Sequence, residues 1–337
     1  MSKLFDIAVI GATGTVGETL VQLLEERAFP LASLHLLAGS ASAGQSVPFK
    51  GKNLRVRELA DFDFATVQLV FFCAGASVTQ AYAAKAQGAG CTVIDLSGAL
   101  PQQQAPRLVP EVNAELLAGL QAPFLLSSPQ PLVVALALVL APLRAALALQ
   151  KVSVMAALAV SSQGREGIAE LARQTTELLN MRPLESKVFD RQIAFNLLAQ
   201  VGGLEEEGGH ALLERQLAEE LKQVLALPQL RVAATCVQAP VFFGDSLAVS
   251  LQAAETVDIA QVARLLEAQE GIELVEAGDY PSVVGDAVGQ DEVYVGRLRT
   301  GLDDPAELNL WIASDNVRKG SALNAVQIGE LLIKHYL

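Results

Sequence analysis

The sequence predicts an α/β protein: a Rossmann-type doubly wound parallel sheet, followed by an α+β domain with a mixed sheet. Three observations lead to this prediction. A glycine-rich turn follows an apolar strand near residue 10, strand and helix patterns then alternate, and after residue 131 a long apolar helix leads into a second set of strands. With 337 residues, of which 51% are hydrophobic, the chain is long enough for two domains.

The first half opens with the apolar run Phe5–Ile10, which predicts a buried strand, and its glycine turn leads into a helix at Glu18–Glu26. Four more elements are predicted in this half: strands at Leu34–Leu37, Val67–Cys73 and Thr92–Leu96, and a helix at Val78–Gln87.

The second half begins with an apolar helix at Pro131. We expect strands at Lys151–Val160, Leu230–Val237, Ser246–Ala253 and Leu308–Ala313, and helices at Arg165–Asn180, Leu212–Leu225 and Arg318–Tyr336. The glycine-rich stretches Gly202–Gly209 and Gly278–Gly289 are expected to be surface connections.

Charge and composition exclude several classes of partner. A net charge of −13 argues against nucleic acid and against anionic membranes. The longest apolar run, Pro131–Leu143, is too short to cross a bilayer, and the first residues lack the pattern of a signal peptide. The three cysteines, Cys73, Cys91 and Cys236, form neither a disulfide framework nor a zinc pattern, which fits buried thiols in a reducing cytoplasm.

Gly11, Gly14 and Gly17 have the spacing GxxGxxG between the first strand and the first helix. Glycines permit a tight turn and a close approach of backbone to a phosphate, and the N–H groups at the helix start favour an anion. This context predicts a nucleotide-binding loop. The alternative is a glycine turn kept for packing of helix against strand.

The region that follows the second strand does not discriminate between cofactors. NAD-binding loops place an acid there for the ribose hydroxyls, but residues 36–42 contain none. They also lack an arginine or lysine for a 2′-phosphate, so NAD is not favoured and NADP has little support. Ser40 and Ser42 could donate hydrogen bonds.

Nine ordered segments, which together span nearly the whole chain, resemble the aspartate-β-semialdehyde dehydrogenase family, and most closely its non-catalytic USG-type branch. They are GATGTVG (11–17), FFCAGASV (71–78), VIDLSG (93–98), LVPEVN (108–113), SSPQP (127–131), REGIAEL (165–171), IAFNLL (193–198), CVQAPVFFGDS (236–246) and SDNVRKGSALNAVQIGELL (314–332).

The resemblance implies a dimer that binds NADPH and reduces an acyl phosphate through a cysteine nucleophile and a histidine acid–base. It implies an NAD(P)-binding domain at residues 1–130 and 318–337 and a dimerisation and former catalytic domain at residues 131–317. The cofactor contacts that it suggests, together with those of the loops above, are Gly11, Thr13, Gly14, Thr15, Val16, Ser40, Ser42, Ser161, Ser162 and Asn324.

Carried over by position, the family's catalytic site is degraded in this chain. The nucleophile position holds Pro131, and the histidine position holds Asp245, which would be a poor acid at neutral pH if its pKa were ordinary. At the position of the family's arginine for the substrate carboxylate, this chain has Gln238. At the position of the glutamine that orients the acyl group, it has Leu158. A phosphate-binding arginine is replaced by Pro101.

Other residues offer no obvious replacement. We expect the three cysteines and His35 to pack in the core and His335 to face solvent, and His210 has only a small chance of reaching the old site from its loop. The sequence shows no metal-binding cluster.

Three hypotheses remain open at this point. The leading one is a catalytically inactive, dimeric homologue in the cytoplasm that keeps the two-domain fold and some capacity for NADP. The second is a binding or regulatory subunit that pairs with an active paralogue. The third is a divergent NAD(P)-dependent oxidoreductase that acts on an aldehyde or oxo group through Asp245 or a tyrosine.

Overall fold

A computed structural model of the protein describes residues 3–205 and 208–337. The chain divides into two compact units, Met1–Gln130 with Ser321–Leu337 and Pro131–Gly320, each with a six-stranded sheet. Residues 206 and 207, inside the predicted surface loop Gly202–Gly209, lie outside the described residues.

The first unit contains a parallel sheet with strand order β5-β2-β1-β6-β7-β8. Its strands and helices, in chain order up to residue 127, are β1 (Phe5–Ile10), α1 (Thr15–Glu26), β2 (Leu31–Ala38), β3 (Ser46–Phe49), β4 (Lys52–Arg55), β5 (Arg57–Glu58), β6 (Leu69–Phe72), α2 (Ala76–Gly88), β7 (Thr92–Asp95), α3 (Pro110–Asn113) and β8 (Leu125–Ser127). The predicted doubly wound sheet is confirmed, and strand β1 has the predicted bounds.

The second unit contains a mixed sheet with strand order β10-β9-β11-β14-β13-β12. Its strands and helices are α4 (Pro131–Leu147), β9 (Lys151–Leu158), α5 (Gly164–Leu179), α6 (Leu212–Val224), β10 (Arg231–Gln238), β11 (Asp245–Gln252), α7 (Ile259–Glu267), β12 (Ile272–Leu274), β13 (Val293–Thr300) and β14 (Glu307–Ser314). The predicted surface loop Gly278–Gly289 includes one turn of π-helix, Val283–Ala287.

The predicted C-terminal helix begins as a π-helix, Arg318–Leu323, and continues as α8 (Asn324–His335). Helix α8 belongs to the first unit, where Val326, Ile328 and Leu332 lie in the same hydrophobic core as residues of β1 and α1. No helix in residues 3–205 and 208–337 is long and apolar enough to cross a membrane.

Candidate functional site

Two of the three loop glycines are required by packing in the first unit. Gly11 has φ +81°, and a Cβ atom there would lie 2.8 Å from the carbonyl carbon of Cys73. A Cβ atom on Gly17 would lie 2.1 Å from the carbonyl oxygen of Gly11. No side chain fits at either position, so strand β1, helix α1 and the end of β6 approach each other closely because both residues are glycine.

The start of helix α1 is suited to a phosphate. Gly14 is the N-terminal capping residue and supplies no side chain, and the next residues, Thr15 and Val16, lie in the first turn, where N–H groups have no partner within a helix. The Thr15 hydroxyl is buried and has no hydrogen-bond partner among the described residues. A buried donor beside free helix amides fits a phosphate oxygen, so these residues would hold the pyrophosphate of a dinucleotide.

The loop with Ser40 and Ser42 follows β2, at the same edge of the parallel sheet as the glycine loop. Ser40 is exposed and Ser42 is half-buried. The structure brings a basic residue to this loop that sequence analysis missed: a guanidinium nitrogen of Arg55 lies 4.0 Å from the position that a Cβ atom on Gly44 would take.

Asn324 is buried at the start of α8, where its amide donates to the carbonyl of Leu108 at 3.0 Å and to the Ser128 hydroxyl at 2.8 Å. These bonds join α8 to the body of the first unit. Pro101 lies in an exposed turn of this unit, and its carbonyl accepts the N–H groups of Gln104 and Ala105, both at 2.9 Å.

In the second unit, three of the predicted site positions lie at one end of the mixed sheet. Leu158 and Gln238 are the last residues of the parallel strands β9 and β10 and are paired in register, and Asp245 is the first residue of the antiparallel strand β11. All three are buried. The Gln238 amide donates to the carbonyl of Leu158 at 2.8 Å, and its oxygen accepts a hydrogen bond from Ser162 at 3.4 Å.

Asp245 is only 3% exposed, and one carboxylate oxygen accepts the N–H of Ala159 at 3.0 Å. Burial, with a contribution from the nearby Asp315 carboxylate, raises the pKa of Asp245 to about 7. The condition under which Asp245 would be a poor acid, an ordinary pKa near 4, is therefore not met, and the sequence alone did not reveal that the group is enclosed.

The turn after β14 connects several of these residues. The Asn316 side chain bonds to the Ser161 hydroxyl at 3.0 Å and accepts the N–H of Gly244 at 2.9 Å. In the π-helix that follows this turn, a Cβ atom on Gly320 would lie 2.7 Å from Cβ of Pro131, the first residue of α4. The backbone of Gly320 therefore fills the space directly beside the proline ring.

The other reactive side chains lie elsewhere. Cys236 and Cys91 are fully buried, as predicted, while Cys73 is partly exposed. His335 is exposed, as predicted, and His35 packs against Phe62, with ring centres 5.4 Å apart, but it is half-buried at the edge of the core and not inside it. Within the described part of the chain, no three His, Cys, Asp or Glu side chains come together as metal ligands.

His210 belongs to a different surface from Asp245. It lines a groove of about 810 Å³ on the face of the mixed sheet opposite to the buried one, together with alternate residues of the strands such as Met155, Ala248 and Trp311. We call this surface the open face. Met155 is 40% exposed there. In this structure His210 therefore does not reach the family's catalytic position at Asp245.

Comparison with known proteins places the fold in a family. The profile described as "Semialdehyde dehydrogenase, NAD binding domain" matches residues 6–120, and "Semialdehyde dehydrogenase, dimerisation domain" matches residues 140–319. This chain belongs to the semialdehyde dehydrogenase family.

Relatives within the semialdehyde dehydrogenase family agree along the whole chain. A "USG-1 protein homolog" of Azotobacter vinelandii is 61% identical over 334 residues, 99% of each chain, and "Aspartate-semialdehyde dehydrogenase 2" of Vibrio cholerae is 39% identical over the full length of both. A solved structure from Pseudomonas aeruginosa, described as a probable aspartate-semialdehyde dehydrogenase, is 59% identical with a TM-score of 0.97 and covers 99% of this chain and 100% of its own. The predicted family is therefore confirmed.

Proposed function

We propose that this chain is a dimeric, nucleotide-binding member of the semialdehyde dehydrogenase family that does not carry out the family's covalent reaction. The observation that carries the proposal is Pro131. The residue stands at the start of α4, where the resemblance expects the nucleophilic cysteine, and its ring packs against Gly320. A proline offers no atom that could form the acyl intermediate.

The neighbouring positions support the same conclusion. Gln238, which is neutral, stands where the resemblance expects an arginine. Its side chain is hydrogen-bonded to the Leu158 carbonyl and to Ser162. Asp245 replaces an imidazole by a carboxyl group that carries negative charge when it ionises. An anionic acyl substrate would therefore lack the guanidinium that the resemblance expects at position 238. Loss of a nucleophile alone costs on the order of a millionfold in rate.

The test is the phosphate- and NADP-dependent oxidation of aspartate semialdehyde by the purified protein, followed by the absorbance of NADPH. We expect no turnover above the rate without protein. A triple variant, Pro131→Cys with Gln238→Arg and Asp245→His, restores the expected groups, while Pro131→Cys alone is the matched control that restores only the nucleophile. A rate in the unmodified protein that disappears in Asp245→Ala would refute the proposal.

The dimer is proposed to form through the open face, because strands β9, β10, β11, β13 and β14 expose alternate residues there and the matching family domain is a dimerisation domain. Free thiols at Cys73, Cys91 and Cys236 fit a reducing cytoplasm. Pairing with an active paralogue would use the same surface. If the protein co-purifies only as homodimers when that paralogue is in excess, this result would count against such pairing.

A second candidate function is favoured by the environment of Asp245. Its pKa of about 7 suits proton transfer at neutral pH better than an ordinary aspartate does. A divergent oxidoreductase acting on an aldehyde or oxo group could use this carboxyl as its acid–base. Nicotinamide-dependent turnover of an aldehyde that is lost in Asp245→Ala but kept in Asp304→Ala would favour this candidate.

A further inference from the structure

Arg55 is held beside the loop of the first unit that follows β2. The backbone of its neighbour, Val56, forms two hydrogen bonds with that loop: Gly44 N–H donates to the Val56 carbonyl at 2.9 Å, and Val56 N–H donates to the Gln45 carbonyl at 2.8 Å. The Arg55 guanidinium ends 4.0 Å from the position that a Cβ atom on Gly44 would take. These backbone bonds therefore place residue 55 next to the loop, and its side chain reaches toward Gly44.

The alternation of side chains along β3 and β4 directs Arg55 outward. Val47 and Leu54 are cross-strand partners on the inner face of this hairpin, where Val47 is buried. Arg55 is paired with Ser46, one step along each strand, so these two share the outer face. Arg55 is exposed. Its charge can therefore meet a ligand at the loop.

In a dinucleotide-binding sheet, the loop after the second strand receives the ribose of the adenosine half. Here that loop contains no acid to hydrogen-bond a 2′-hydroxyl, and residues 39–45 contain no basic residue. The planar guanidinium binds phosphate oxygens through two parallel hydrogen bonds, which no neutral side chain of the loop can do.

We propose that Arg55 binds the 2′-phosphate of NADP(H) and so makes the first unit select NADP(H) over NAD(H). This inference rests on the nucleotide binding proposed above, and it names a residue that lies outside the glycine loop and more than ten positions beyond Ser42 in the sequence. The positive charge that binds the 2′-phosphate is thus supplied by the β3–β4 hairpin and not by the loop itself.

Arg57 offers a matched control. It carries the same charge two residues away, but its guanidinium lies over the Phe62 ring, 5.6 Å from the ring centre. We would measure the dissociation constants of NADPH and NADH by calorimetry for the unmodified protein, Arg55→Gln, Arg55→Lys and Arg57→Gln. Circular dichroism and thermal melts check that each variant is folded.

The unmodified protein and Arg57→Gln should prefer NADPH. In Arg55→Gln the affinity for NADPH should fall about tenfold or more, because a charged hydrogen bond is lost, while that for NADH stays the same. Arg55→Lys should be intermediate. An unchanged NADPH-to-NADH ratio in Arg55→Gln, with both nucleotides still bound, overturns this inference and leaves the proposed nucleotide binding in place. If neither nucleotide binds the unmodified protein, both are refuted.

Discussion

Asp245 lies directly opposite Ser314 on the neighbouring antiparallel strand. Directly opposed residues share a face of a sheet, so the carboxyl and hydroxyl groups point to the same buried side, with Cβ atoms about 5 Å apart. The residues are 3% and 2% exposed, and the Ser314 hydroxyl has no hydrogen-bond partner among the described residues. The carboxyl is therefore enclosed, and this burial, together with the nearby Asp315 carboxylate, accounts for its raised pKa.

Replacing this carboxyl should change how stability depends on pH. In the unfolded chain Asp245 ionises near pH 3.8, whereas in the folded protein it ionises near pH 7. Between those values the folded protein holds a proton that the unfolded chain has released, so the free energy of unfolding falls as pH rises, by about 4 kcal/mol in total at most.

Asp245→Asn stays neutral and can still accept the Ala159 N–H. Its free energy of unfolding, taken relative to that of the unmodified protein, should therefore rise by a few kcal/mol from about pH 5 to pH 8. Urea unfolding at the two pH values measures this. Asp304→Asn is the control, because hydrogen bonds from Ala306 and Gln252 lower the pKa of Asp304 below its ordinary value of 3.8, so its pH profile between pH 5 and pH 8 should run parallel to that of the unmodified protein. Parallel pH profiles for the unmodified protein and Asp245→Asn would contradict the prediction.

Gly17→Ala should destabilise the first unit strongly. The new Cβ would lie 2.1 Å from the Gly11 carbonyl oxygen, which is backbone and cannot move away without shifting the loop. We expect a loss of about 3 kcal/mol or more in the free energy of unfolding. Gly88→Ala near the end of α2 is the control, since nothing lies within 4 Å of its Cβ position and alanine favours a helix. Equal stability of the two variants would show that the glycine loop is looser than described.

If the dimer forms through the open face, as proposed, a charge placed on that face should separate the protomers. Ala248 lies in the middle of this surface, so Ala248→Glu would place one unpaired carboxylate from each protomer at the interface. The dimer dissociation constant should rise at least about a hundredfold, measurable by analytical ultracentrifugation. Leu302→Glu, at a fully exposed position, should leave it unchanged. If Ala248→Glu stays dimeric, another surface forms the dimer.

The thiols should be slow to react in the native protein. Burial, with nearby carboxylates, raises the pKa of Cys236 to about 12 and that of Cys91 to about 11, and the pKa of Cys73 is also raised. Because the thiolate is the reactive form, iodoacetamide at about pH 8 should label the native chain far more slowly than the urea-unfolded chain. Mass spectrometry of the labelled peptides gives the rate for each residue, and rapid native labelling of Cys236 would reveal an open path to it.

The parts of the fold that follow from local pattern were predictable. Strand β1 and helix α4 each consist of a continuous apolar run next to a turn signal, and their starts were placed correctly. The β3–β4 hairpin was missed, because its strands are short and its turn, Lys50–Gly51, depends on two positive φ angles. Only the structure shows that this hairpin carries a basic residue to the loop after β2.

The candidate site was predictable as a set of positions but not as an environment. Motif spacing located Pro131, Gln238 and Asp245 by resemblance to the family. The raised pKa of Asp245 arises from burial by elements far away in sequence, and Ser314 becomes its neighbour only through the pairing of β11 with β14. Such effects depend on tertiary contacts, which residue spacing does not contain.

The division of the first unit into two stretches of chain sets the order in which a ribosome can supply its parts. Residues 131–320, the whole second unit, emerge before Ser321 does. Until then the first unit lacks the helix that contributes Val326, Ile328 and Leu332 to its core and Asn324 to its internal hydrogen bonds. The first unit therefore cannot complete its core, and keeps apolar surface uncovered, until residues 131–320, more than half of the protein, have been synthesised.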